Sequence, residues 1–67
     1  MPKKIRQLKR MLRKAGFGHR PGKGSHTVWT HPKVAKPVAL SGKDGDDAKA
    51  YQEREVAERV REAEETS

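Results

Sequence analysis

Apolar residues recur along the first part of the chain at Ile5, Leu8, Met11, Leu12 and Ala15, a stripe that occupies one face of a helix. The spacing predicts a helix over residues 3–15, with Pro2 at its entrance and Gly16 where a left-handed C-terminal cap is wanted. No Ser, Thr, Asp or Asn precedes the stripe, so a frayed N-terminus is expected. Phe17 to Arg20 then reads as a short strand, and Pro21-Gly22-Lys23-Gly24 as turn chemistry. Ser25 to His31, rich in Thr, Val and Trp, reads as a second strand.

The period of two sorts that strand into Thr27, Trp29 and His31 on one face and His26, Val28 and Thr30 on the other. A third strand is expected over Lys36 to Leu40, with Val38 and Leu40 on one face and Pro37 marking it as an edge strand, because proline cannot donate to a ladder. Ser41 to Gly45 is a loop, after which Asp46 or Asp47 is expected to cap a helix running to about Glu64 on a sparse stripe of Tyr51, Val56, Val60 and Ala63.

The pattern predicts a single α+β domain over residues 1–67, of order α-β-β-β-α: a three-stranded antiparallel sheet with two helices on one face. Trp29 is expected to point at the helices with Val38 and Leu40, because a chain this short can hardly forgo burying its one tryptophan. Parity then sends His26 to the open face, opposite His31. Stacking of Trp29 on a nucleobase is the weaker alternative.

Composition narrows the function classes. Hydrophobic residues make up only 31% of 67, so the core is thin and a cavity for a bulky small-molecule ligand is not expected. Cysteine is absent, which excludes disulfides and thiolate metal sites. No apolar run approaches the roughly 18 to 20 residues of a membrane span, and no apolar leader follows the basic start, so a cytoplasmic protein without a membrane role is the expectation.

Charge is divided sharply. Met1 to Lys43 holds twelve Lys or Arg and no acid, whereas Asp44 to Ser67 holds nine acids against four cations, so segments of +12 and −5 make up the net +7. A basic block of that density suits a polyanion, since each neutralised phosphate releases counterions. A merely solubilising surface and a contact to anionic lipid are the other readings.

One set of residues carries a resemblance. Ile5-Arg6-Gln7-Leu8, Ala15-Gly16-Phe17, then Gly24-Ser25-His26 eight positions after Gly16, and His31-Pro32 at the strand end resemble the HicA mRNA interferase toxins over roughly residues 3–45. Residues 46–65, an acidic C-terminal helix, resemble that family poorly. The resemblance implies a fold like a double-stranded-RNA-binding domain, metal-independent cleavage of messenger RNA, and a HicB-type antitoxin as partner. It also implies that the histidine of the Gly-Ser-His motif, here His26, is catalytic.

That role suits the residue type, because an imidazole can take the 2′-hydroxyl proton of RNA near neutral pH. Lys23, in the turn, is a candidate for the scissile phosphate and Arg20 for a neighbouring one, whereas a charged loop that is only solvated is the alternative for both. Ser25 is either an orienting group or an ordinary turn hydroxyl. Lys9 and Arg13 on the first helix are candidates for RNA backbone contacts, and His19 and His31 are weaker candidates for the general acid. The spacing of the three histidines, with no carboxylate nearby, is not that of a metal site, and no cofactor is expected. A non-catalytic RNA-binding module with the same basic surface is the rival reading. Its discriminator is turnover.

Overall fold

The stripe that begins at Ile5 forms α1 (Ile5–Lys14), with Ile5, Leu8 and Leu12 buried. In the computed structural model, which describes residues 2–65, it is followed by β1 (Gly18–Pro21), β2 (Thr27–His31), β3 (Val34–Leu40) and α2 (Ala50–Glu65). The strands form an antiparallel sheet of order β1-β2-β3. The α+β architecture is thus an open three-stranded sheet between two helices in sequence.

α1 ends as the sequence predicts. Gly16 takes φ 92°, the Gly16 N–H donates to the Arg13 carbonyl and the Phe17 N–H to the Leu12 carbonyl, which is the Schellman arrangement. Its apolar closure follows too, since Leu12 and Phe17 are both buried in the core. The start of α1 departs from expectation. Instead of fraying, its first amides are taken by a distant loop: Ile5 N–H donates to the Asp46 carbonyl at 2.9 Å and Arg6 N–H to that of Asp44 at 3.2 Å. Gln7 Oε1 closes the end by accepting the Lys4 N–H at 2.6 Å.

This loop also explains why α2 begins at Ala50 and not at Asp46 or Asp47. Asp47 and Ala48 run beside Lys3 and Lys4, with Asp47 bridged to Lys4 and the Ala48 N–H donating to the Lys3 carbonyl at 2.7 Å. Asp46 caps its own tight turn, accepting the Lys43 N–H at 2.9 Å. The cap of α2 is made by Gln52 instead, whose Oε1 accepts the Lys49 N–H at 2.8 Å while its Nε2 donates to the Ser41 carbonyl at 3.2 Å.

Gln52 is therefore buried, and with Val56 and Ala63 it forms the inner face of α2; Tyr51, expected in that stripe, is 52% exposed. The step from Tyr51 to Val56 is five residues, which a helix turns away from the core, whereas the step of four from Gln52 stays on one face. The third strand begins two residues earlier than predicted because Val34 pairs with His31 across an irregularity between Trp29 and His31. Pro37 does lie on an edge strand.

Trp29 is completely buried, opposite His19 on one side and Val38 on the other. Its indole N–H donates to Thr27 Oγ1 at 2.9 Å, two residues along the same face, so the one polar atom of the central side chain is satisfied. The helices cover this face, and Arg20, Val28, Pro37 and Ala39 line the other. No helix among the described residues is long and apolar enough to cross a membrane.

Candidate active site and nucleic-acid interface

The β1–β2 turn holds His26 by its backbone and leaves its ring open. Pro21 and Thr27 form the last strand pair; beyond it the Gly22 N–H donates to the His26 carbonyl at 2.8 Å, and the His26 N–H donates to the Lys23 carbonyl at 3.0 Å. Gly24, at φ 59°, reverses the chain between them. Strand alternation carried through the Gly22 and His26 pair puts the imidazole on the open face with Val28 and Thr30, where it is exposed.

Gly22 lies close against that residue. A Cβ on Gly22 would stand 3.3 Å from His26 Cβ and 3.4 Å from its carbonyl oxygen, so a side chain there must push the histidine outward. Gly22→Ala is accordingly expected to fold, to keep RNA affinity within about twofold and to lower any His26-dependent cleavage on the order of tenfold, since small displacements of reacting groups cost rate. Paired binding and single-turnover assays check this.

Among the other candidates, Arg20 faces Val28 in register and so lies one diagonal step from His26 on the same face. Lys23 stands exposed in the turn itself. Ser25 has a structural role, since its Oγ accepts the Gly42 N–H at 3.2 Å and ties this turn to the loop after β3. Thus Arg20 shares the open face with His26, Lys23 stands in the turn between them, and Ser25 is turned to the loop after β3.

Lys9 and Arg13 do not join them. Lys9 Nζ lies 2.6 Å from Asp44 Oδ1, with the lysine side chain only 15% exposed. Arg13 lies over the indole of Trp29, its guanidinium carbon 5.5 Å from the ring centroid, on the helix face. The remaining histidines also lie on that face. His31 meets the Phe17 ring at 5.1 Å between centroids and its Nδ1 accepts the Lys33 N–H at 3.0 Å; His19 stacks on Trp29. Neither shares the face of His26, so neither is placed to serve as its acid partner. Among the described residues no group of three His, Cys, Asp or Glu comes together as a metal site would require.

Part of the basic block is used within the fold itself, which no local pattern in the chain signals. Lys4 pairs with Asp47 and Lys9 with Asp44, over sequence separations of 43 and 35 residues. The hydrogen bond from Lys9, its charge, and the more distant charges of Arg13 and Arg6 hold the Asp44 carboxyl below the usual carboxylate range. A depressed carboxylate contributes stability that is present above its unfolded value, about 3.9, and is lost as pH falls through the folded value. Asp44→Asn should therefore melt earlier than wild type at pH 6, and the two should converge as the pH falls through the lowered folded value of the carboxyl. Thermal melts across that range check the sign. The effect is small because the carboxyl is exposed.

Comparison with known families places these features. The family model for the HicA toxin of bacterial toxin–antitoxin systems matches residues 5–63. The match runs through α2, well past residue 45 where the motifs read from sequence stop, so the acidic helix belongs to the matched region. No curated protein and no solved structure gives a significant match.

Proposed function

The chain belongs to the HicA toxin family, whose members act with a cognate antitoxin, and on that premise we propose that it is an endoribonuclease that cleaves messenger RNA in the cytoplasm with His26 as its catalytic base. The observation that carries this reading is the exposed imidazole of His26, fixed at its backbone by two hydrogen bonds on an open sheet face beside Arg20 and Lys23.

In the proposed reaction the neutral imidazole takes the proton of a ribose 2′-hydroxyl. The freed oxygen attacks the adjacent phosphorus, and the bond from phosphorus to the 5′ oxygen of the next nucleotide breaks. That oxygen leaves with a proton from an acid, so the products are a 2′,3′-cyclic phosphate and a 5′-hydroxyl end. Arg20 and Lys23 stabilise the charge that builds on the phosphorane oxygens. No step calls for a metal ion.

A HicB-type antitoxin is the proposed partner. A surface on which acids are confined to residues 44 onward offers an acidic protein complementary charge and fast, salt-sensitive association. Covering the open face would mask His26.

The rival reading, an RNA-binding module without catalysis, draws on one finding: both other histidines lie on the helix face, so His26 works without a second imidazole beside it. Incubation of the purified chain with a long unstructured RNA in EDTA decides between them. New ends bearing cyclic phosphate, in excess over protein, establish the nuclease. A stoichiometric mobility shift without new ends assigns the chain to the binding class.

A further inference from the structure

β1 is a four-residue edge strand whose side chains are all exposed. Alternation sends Gly18 and Arg20 to the open face and His19 to the helix face, where it stands opposite Trp29 in register. The His19 and Trp29 rings stack with centroids 4.4 Å apart and planes 24° from parallel. Trp29 is fully covered, so the imidazole is the outermost layer of the core at this edge, one side against indole and the other toward solvent.

Its surroundings are those of a recognition surface. The guanidinium of Arg13 lies over the same indole, and neither His19 nor Arg13 makes a salt bridge among the described residues. The His19 ring makes no hydrogen bond there either. For covering an indole at a strand edge, Val or Ile has the better strand propensity and no ring nitrogens to keep hydrated. What an imidazole adds is a flat π-face, and here that face is held in place from beneath, so a second ring can dock without ordering the side chain first.

We propose that the outer face of His19 is a stacking platform for one nucleobase of an unpaired RNA strand, with Arg13 holding the adjoining phosphate. This subsite rests on the RNA reading above and specifies the substrate as single-stranded, because only an unpaired base presents its π-face to a side chain. His19 and His26 belong to the same hairpin but to opposite faces. The row of His19 and Trp29 is three residues from that of His26, about 10 Å along the strands at roughly 3.3 Å per residue. A strand crossing the β1 edge past Arg20 therefore connects the platform to the site of cleavage. The protein grips RNA on one side of the sheet edge and presents it to His26 on the other.

The test is the affinity of the intact chain for a labelled, unstructured 2′-O-methyl oligoribonucleotide, which cannot be cut because the attacking hydroxyl is blocked, and for the same backbone without bases. His19→Val still covers Trp29 but has no π-face; it should weaken binding of the base-bearing strand about fivefold or more, with no effect on the abasic strand. His19→Phe restores the π-face and should bind within about twofold of wild type. Arg13→Gln should weaken both strands. Wild-type affinity in His19→Val, equal weakness in His19→Phe, or the same loss on the abasic strand overturns the platform while leaving the RNA reading intact. If the wild-type chain binds neither oligonucleotide, both readings fall.

Discussion

Replacing Trp29 by alanine is expected to destabilise the fold by about 3–5 kcal/mol, roughly half of what a chain of this length has. The side chain is fully buried between His19 and Val38 and below Arg13, so α1, β1 and β3 all reach it. Removing a buried tryptophan costs about 3–5 kcal/mol through lost transfer energy and the cavity left behind. At roughly 0.05–0.15 kcal/mol per residue, a chain of this length has about 3–10 kcal/mol to lose. Far-UV circular dichroism with urea titration measures the outcome, and a cooperative transition within about 1 kcal/mol of wild type would show that the indole is not the keystone. Tyr51→Ala is the matched control: that ring is 52% exposed and its loss should change stability by no more than about 0.5 kcal/mol.

For His26→Ala the expectation is reversed, with an intact fold and a lost reaction. The imidazole is exposed, and the turn is held by backbone hydrogen bonds that the substitution leaves in place, so the melting curve should shift little. A positioned general base contributes about 10²–10⁴-fold to rate, and cleavage in EDTA should fall by that factor while affinity for uncleavable RNA persists. Undiminished cleavage by a pure, folded variant would remove His26 from the mechanism. Arg20→Gln and Lys23→Gln should act differently, lowering affinity and reducing the salt slope by about one each if each side chain neutralises one phosphate.

Taken together, the two substitutions separate the faces of the sheet. One face is occupied by the core and by the cations and rings that close over it at the β1 edge. The other bears the groups proposed to act on RNA. The overlap is at β1, whose alternate residues His19 and Arg20 look in opposite directions.

Much of this fold is legible in the chain itself. The stripe from Ile5 to Leu12, the glycine cap at Gly16 and the turn around Gly24 depend on a few adjacent residues and came out as predicted. The placement of Trp29 inward and His26 outward needed only the period of two and the premium on burying an indole. By contrast, hydrophobicity assigns Tyr51 to the core, and the structure puts the polar Gln52 there because its amide satisfies two backbone groups at once. A polar residue that is buried in order to bond cannot be told, by type, from one that is merely solvated.

The order of elements, the face that each β2 residue takes, the division of charge and the Gly24-Ser25-His26 motif are written along the chain, because periodicity, turn geometry and charge are properties of neighbours. The fold settles which cations remain outward, since Lys4 and Lys9 are claimed by Asp47 and Asp44. It alone decided that the loop at 44–48 caps α1 and that His19 and Arg13 converge on Trp29. These contacts join residues 10 to 43 positions apart, and their partners are selected by how the helices close over the sheet, for which no local pattern in the chain is a signal.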